Sequence, residues 1–113
     1  MIEASCHCGA IKFSAPTAPE KVNACNCSIC RRYGTLWAYY APRDVHFAAD
    51  NGPTDIYMWG DRELEFHRCH TCGCVTHWAA LDKSYERMGV NARLMATEVV
   101  EAAEMYRGDG AAM

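Results

Sequence analysis

Cysteine is the residue that most constrains how this chain can fold. The sequence has eight cysteines in 113 residues. Seven of them fall into three short groups, which are Cys6 and Cys8, then Cys25, Cys27 and Cys30, and then Cys69 and Cys72. Only Cys74 is left over. Spacings of one or two residues let a single tight turn direct its sulfurs at one point, which is typical of metal ligands.

The two groups of two cysteines predict a structural zinc site. Such a site needs four ligands, and we expect them to be Cys6, Cys8, Cys69 and Cys72. Gly9 and Gly73 directly follow the second cysteine of each pair. Glycine allows the backbone to turn so that its N–H groups face the sulfurs. A zinc ion held in this way would join two distant parts of the chain and could supply on the order of 10 kcal/mol to a domain with a thin core.

The three-cysteine group within residues 24–34 predicts a different kind of site. Three protein ligands leave one position of a tetrahedral ion open, as in catalytic zinc sites. A fourth ligand from His70 or Cys74 would instead make the site structural. Iron or an iron–sulfur cluster on the thiolates is a further alternative. Disulfides would require an oxidising compartment, and the first residues of the sequence show no export signal.

Composition excludes several classes of protein. Half of the residues are apolar and 22% are charged, as in globular proteins. No apolar run approaches the roughly 20 residues that cross a bilayer, so we expect a cytoplasmic protein with no membrane partner. The net charge is -3 and the basic residues form no cluster beyond Arg31 and Arg32, which argues against nucleic acid. The length predicts one domain over residues 1–113, and nothing in the sequence indicates an oligomeric state.

The pattern of apolar and turn residues predicts a mainly β chain. We expect about eight short strands, drawn from residues 2–5, 10–14, 21–24, 36–41, 45–48, 55–59, 63–69, 75–79 and 87–91. Residues 55–59 and 63–69 form a predicted hairpin that turns at residues 60–62 and delivers Cys69 to its site. One helical turn is predicted at residues 28–33, ended by Gly34. Residues 96–104 fit a helix as well as a strand, and residues 108–113 are predicted to fray.

Four segments of the sequence resemble the glutathione-dependent formaldehyde-activating enzyme family, which includes centromere-protein-V-like zinc domains. They are Ser-Cys-His-Cys-Gly at 5–9, Cys-Asn-Cys-Ser-Ile-Cys-Arg-Arg at 25–32, Cys-His-Thr-Cys-Gly at 69–73 and Val-Asn-Ala-Arg at 90–93. The resemblance implies a complex antiparallel β fold of packed small sheets with zinc knuckles, of the Mss-four-like type. It also implies two zinc ions, one structural on the four paired cysteines and one catalytic on Cys25, Cys27 and Cys30.

The activity implied by the resemblance is that of a carbon–sulfur lyase, which reversibly joins formaldehyde and glutathione to S-(hydroxymethyl)glutathione. Small-molecule thiol and aldehyde partners follow from it. Arg31, Arg93 and Asn91 are the candidate substrate-binding residues, since arginine pairs with carboxylates and offsets the charge of the thiolates. Two other functions stay open, a zinc-stabilised binding module without catalysis and a redox protein that uses Cys72 with Cys74.

Overall fold

Ten strands and two short helices are formed by the residues that the computed structural model describes, 1–60 and 62–108. The strands are β1 (Ile2–Ser5), β2 (Lys12–Ala15), β3 (Lys21–Asn23), β4 (Trp37–Tyr40), β5 (His46–Phe47), β6 (Thr54–Tyr57), β7 (Leu64–Cys69), β8 (Val75–Ala80), β9 (Met88–Asn91) and β10 (Glu104–Tyr106). The helices are α1 (Ser28–Tyr33) and α2 (Thr97–Ala102), and single 3-10 turns cover Pro42–Asp44 and Ala92–Leu94. The expectation of a mainly β fold is confirmed.

The strands make two sheets. The smaller sheet has the order β1-β2-β5, and the larger one has the order β10-β3-β4-β9-β8-β7-β6. Neighbouring strands are antiparallel except for β10, which pairs in parallel with β3. This parallel pair brings the end of the described chain next to the segment that enters the three-cysteine group.

Most predicted elements lie within a residue or two of the observed ones. The hairpin is formed by β6 and β7 and pairs Thr54 with Cys69. Helix α1 has the predicted bounds and ends at Gly34, whose φ of 68° is left-handed and whose N–H donates to Cys30 O. Residues 96–104, which fitted either a helix or a strand, contain α2 and then the first residue of β10. Asp61 of the predicted hairpin turn and residues 109–113 of the predicted frayed end lie outside the described residues.

Strand β4 separates two apolar clusters because successive side chains of a strand point to opposite faces. Ala38 faces the main core between the sheets, together with Phe13 of β2 and Val90 of β9. Its neighbour Trp37 points to the other face, into a cluster that contains Cys30. The alternation in β4 therefore places an aromatic side chain against the three-cysteine group.

The turn at residues 50–53 connects the two cysteine pairs. The Gly52 N–H donates to Ala10 O at 3.0 Å, and the His70 N–H donates to Pro53 O at 3.2 Å. The Asn51 side chain bonds to both backbone groups of Lys12 at 2.9 Å. Backbone hydrogen bonds thus hold the loops after β1 and after β7 against the same turn.

Helices of the described part of the chain are six residues long at most, too short to cross a bilayer.

Candidate metal centres and substrate cavity

Four cysteine sulfurs from the loops after β1 and β7 form the first candidate metal centre. The sulfurs of Cys6, Cys8, Cys69 and Cys72 all lie within 4.8 Å of one another. Cys8 Sγ lies 3.7 Å from Cys6 Sγ and 3.6 Å from Cys69 Sγ. Four sulfurs placed about 2.3 Å from a central zinc lie about 3.8 Å apart at tetrahedral angles. The spacing therefore fits a four-coordinate zinc ion.

The backbone around this centre directs N–H groups at the sulfurs. Gly9 and Gly73 have φ values of 84° and 80°, left-handed conformations that glycine adopts without strain. The Ile11 N–H donates to Cys6 Sγ at 3.3 Å. Donors of this kind favour the thiolate form that binds metal.

One sulfur of the first centre ionises easily. The backbone N–H groups of Cys74 and Cys8 are the largest influences on Cys72 and lower its pKa to about 5. A thiolate is thus available at neutral pH, and metal binding requires fewer protons to leave.

The second candidate centre lies at the N-terminal end of α1, with Cys30 in the helix, Cys27 at its N-cap and Cys25 just before it. The sulfurs of Cys25, Cys27 and Cys30 lie within 4.8 Å of one another. Cys27 is the N-cap of α1, and its sulfur accepts a hydrogen bond from the Cys30 N–H at 3.4 Å. The Trp37 indole Nε1–H donates to Cys30 Sγ at 3.3 Å. Within residues 1–60 and 62–108, this group contains no fourth cysteine, histidine or carboxylate.

The thiols of the second centre differ in acidity. Burial opposes ionisation of Cys27, but the N–H groups of Cys30 and Ile29 face its sulfur and its pKa is lowered. Burial strongly raises the pKa of Cys30, and the Trp37 donor opposes that rise only in part. A cation that replaces the Cys30 proton would remove this penalty, so the donor set fits a zinc ion held by three thiolates.

The two residues considered as a fourth ligand lie elsewhere. His70 Nδ1 is 3.1 Å from both carboxylate oxygens of Asp55 on β6. Cys74 packs against the first centre, next to Cys6 and Cys69. None of the eight cysteines forms a disulfide in this structure.

An aromatic cavity of about 630 Å³ opens beside the second centre. The lining side chains of its wall are mostly aromatic or aliphatic and come from α1, β4, β7, β8 and the loop after β6; they are Ile29, Trp37, Tyr39, Trp59, Leu64, Phe66 and Trp78. The three cysteines of the second centre also line it. Trp37, Tyr39 and Trp78 fall in predicted strands, where an aromatic side chain fits a core position or a pocket wall, and nothing in the sequence marks Trp59 or Phe66 as cavity residues.

A second cavity of about 430 Å³ lies against Cys25 and Cys30 and, unlike the first, has cationic side chains in its wall. Arg31 and Arg93, two of the predicted substrate-binding residues, line it together with Cys25 and Cys30. Arg107, which follows β10, is a third arginine of this wall. The sequence could not point to Arg107, since only the parallel pairing of β10 with β3 brings it there. We call this the arginine cavity.

A buried hydroxyl also lines the arginine cavity. Thr35 is 4% exposed, and its Oγ1 has no hydrogen-bond partner in the described part of the chain. A buried polar atom without a partner is costly, and an anionic oxygen placed in this cavity could accept its hydrogen bond.

Asn91 holds the arginine segment in place. Its Oδ1 accepts hydrogen bonds from the N–H groups of Leu36 and Arg93 at 3.3 and 3.2 Å. Its Nδ2 donates to Val75 O at 2.8 Å. The side chain is buried among these three backbone groups, whereas the exposed Arg93 donates from Nε to Gly34 O at 2.6 Å.

The sequence matches the family model described as glutathione-dependent formaldehyde-activating enzyme over residues 1–109. The chain belongs to this family. A crystal structure of a protein from Rhodobacter sphaeroides is similar, with a TM-score of 0.76 at 24% identity, over 93% of this chain and all of that one. At that identity the likeness shows the fold. Among curated proteins, none matches the sequence at a significant level.

Proposed function

We propose that this protein is a zinc-dependent enzyme of the carbon–sulfur lyase type. Its substrates are a thiol, with glutathione as the first candidate, and an aldehyde, with formaldehyde as the first candidate. The products are S-hydroxymethyl thiol adducts, formed or cleaved reversibly. The observation that carries the proposal is that Cys25 and Cys30 belong to a group of three sulfurs that could hold a metal ion and also line the arginine cavity.

The chemistry needs an ionised thiol next to an aldehyde. In the forward direction a sulfur electron pair forms the carbon–sulfur bond, the carbonyl π pair moves to oxygen, and the oxygen takes up the proton that the thiol lost. Cys25, Cys27 and Cys30 would hold the zinc ion, which would supply the positive charge that favours an ionised substrate thiol at neutral pH. No oxidant or reductant is required.

The residues of the chain bind and orient the substrates. Arg31 and Arg93 pair with carboxylates of the thiol, and Asn91 fixes the backbone from which Arg93 extends. Three thiolates and one zinc ion carry a formal charge of about -1, so the arginines also offset the charge of an added thiolate. The Thr35 hydroxyl is a further donor for a carboxylate oxygen.

In this proposal the four-cysteine centre holds a second, structural zinc ion, so that each chain binds two. We also propose the cytoplasm as the location, because eight cysteines without a disulfide are typical of a reducing compartment.

Cobalt substitution tests the proposed function. Cobalt replaces zinc on thiolates and gives absorption bands that respond to its ligands. We expect glutathione to change the spectrum of the second centre and the protein to consume formaldehyde with glutathione faster than the uncatalysed reaction. If glutathione leaves the spectrum unchanged and formaldehyde consumption stays at the uncatalysed rate, the protein is a zinc-stabilised binding module instead.

A further inference from the structure

The aromatic cavity is unusual in what its wall contains. The chain has three tryptophans, and all three line this cavity. Phe66, Leu64 and Ile29 complete the apolar part of the wall. Apart from the cysteine thiols, the described residues that line it include no ionisable side chain other than the neutral phenol of Tyr39. A wall of this kind favours apolar ligands, and aromatic ones in particular.

The Asn23 amide, the Tyr39 hydroxyl and the Trp37 indole N–H of the wall are already engaged in hydrogen bonds. Asn23 Nδ2 donates to Tyr39 Oη at 2.7 Å, and Asn23 Oδ1 accepts from the Gly108 N–H at 2.7 Å. The Trp37 indole N–H donates to Cys30 Sγ. A carboxylate group that entered this cavity would lose its hydration without gaining a cationic side chain as a partner among the described lining residues.

Neither first-candidate substrate fills such a space. Formaldehyde has no side chain, and the carboxylates of glutathione match the arginine cavity, which also borders Cys25 and Cys30. A cavity of about 630 Å³ has room for a group of ring size next to the sulfurs.

We propose that a substrate of the three-cysteine centre carries an apolar group of ring size, which lies in the aromatic cavity while its reacting atom faces the sulfurs. This inference rests on the proposed function for the reaction and adds the substrate class. The apolar group belongs to the aldehyde or to the thiol, because the aromatic wall would bind a ring on either substrate in the same way.

Trp59 allows the cavity to be altered without disturbing the core. Its side chain is 42% exposed at the rim, whereas Trp37 and Trp78 are 1% and 8% exposed. Tyr57 is a matched control, because it lies two residues away, is 45% exposed and does not line the cavity.

The test is a titration of the zinc-loaded protein followed by the three indole N–H signals in an NMR spectrum. One arm compares 2-phenylethanethiol with 2-mercaptoethanol and glutathione. The other compares phenylacetaldehyde with formaldehyde in the presence of glutathione. We expect the aromatic member of at least one arm to shift the indole signals and to bind about tenfold tighter or more than its non-aromatic counterparts.

The variants sharpen the test. Trp59→Ala should weaken the aromatic ligand about fivefold or more and leave 2-mercaptoethanol unaffected, while Tyr57→Ala should change neither. The arm that shows the preference identifies whether thiol or aldehyde carries the ring. The inference is overturned if aromatic and small ligands have equal affinities in both arms. It is also overturned if glutathione shifts the indole signals and binds more tightly than 2-phenylethanethiol. The cobalt spectrum with glutathione reports separately on the proposed function, so the two can fail independently.

Discussion

Trp37 and Cys30 are joined by a hydrogen bond in which the indole Nε1–H donates to the thiol sulfur at 3.3 Å. Both side chains are buried, with 1% and 7% of their surface exposed. Strand β4 supplies the donor and helix α1 supplies the acceptor. The large sheet therefore supplies a hydrogen-bond donor to the sulfur of one candidate metal ligand, and this donor can change how strongly the sulfur binds a metal ion.

Trp37→Phe tests this coupling, because it keeps a ring and removes the donor. A hydrogen bond to a charged group contributes about 1.5–3 kcal/mol, and we expect metal affinity at the second centre to fall about 10- to 100-fold. Competition with a chelator measures the affinity. Tyr39→Phe is the control, since its hydroxyl bonds to Asn23 on the same wall. Equal affinities in the two variants would show that the indole N–H does not tune the metal.

Single cysteine variants should separate the two centres. Cys27→Ala should leave a folded protein that holds one metal ion fewer and has no activity, because the cysteines of its centre come from one short segment and join no distant parts of the chain. Cys6→Ala should unfold the protein at moderate temperature, since Cys6 is 3% exposed and its centre joins loops more than 60 residues apart in the sequence. Metal content and circular dichroism report both outcomes. If both variants unfold alike, the three-cysteine centre is structural.

The grouping of cysteines could be anticipated from the sequence because ligand spacing is a local property. One turn determines where the sulfurs of Cys25, Cys27 and Cys30 point, and the glycines after Cys8 and Cys72 permit the tight turns observed. The hairpin of β6 and β7 could be predicted for the same reason, since alternation and turn residues are short-range signals.

Long-range pairings could not be predicted in this way. Strand β10 pairs with β3 across more than 80 residues of sequence, and Arg107 reaches the arginine cavity through that pairing. The family resemblance makes Asn91 a candidate substrate-binding residue, but no local pattern indicates that its amide is buried and bonds to the backbone of Leu36 and Val75. Such contacts depend on the order of strands in the sheet, which local patterns leave undetermined.

Any side chain at Gly89 should destabilise the fold, because the indole of its cross-strand partner Trp78 occupies the space beside it. A Cβ atom built on Gly89 would overlap the indole ring, with Cε2 and Cδ1 at 2.7 and 2.8 Å. Gly89→Ala should therefore displace the indole into the aromatic cavity and lower the free energy of unfolding by about 1–3 kcal/mol. Gly52→Ala is a matched control, since its Cβ would meet only Ala10 Cβ at an ordinary 3.7 Å. Denaturant unfolding and the indole signal of Trp78 measure the two effects. A Gly89→Ala protein as stable as Gly52→Ala would contradict this packing.

His77 should make the fold sensitive to acid. Burial, with a smaller contribution from His67, lowers its pKa from 6.5 to about 3. The unfolded chain takes up a proton at His77 below about pH 6.5, and the folded chain does not until about pH 3, so stability falls as the pH decreases between these values. At pH 5 the loss approaches about 2 kcal/mol relative to pH 7.

His77→Phe should remove this part of the acid sensitivity while keeping a ring against Phe47, whose centroid lies 4.6 Å away. Loss of metal at low pH affects the wild type and the variant alike, so the difference between their unfolding free energies isolates the histidine. The same exchange at the exposed His46 controls for the added phenyl ring. A constant difference between pH 7 and pH 5 would show that His77 is protonated in the folded state.

Neighbouring arginines provide the sharpest test of carboxylate binding. Arg31 lines the arginine cavity, whereas Arg32, the next residue, donates from Nη1 to Ser28 O at 2.8 Å and does not line it. An exposed ion pair contributes about 0.2–1 kcal/mol, so Arg31→Ala should weaken glutathione binding about two- to fivefold and Arg32→Ala should not. 2-Mercaptoethanol, a neutral thiol without a carboxylate, should be weakened less than glutathione by Arg31→Ala, because it loses only the charge that offsets its thiolate. Equal weakening of the two thiols by Arg31→Ala would assign the arginine to the charge of the metal centre alone, and equal glutathione binding in both variants would remove Arg31 from the substrate site.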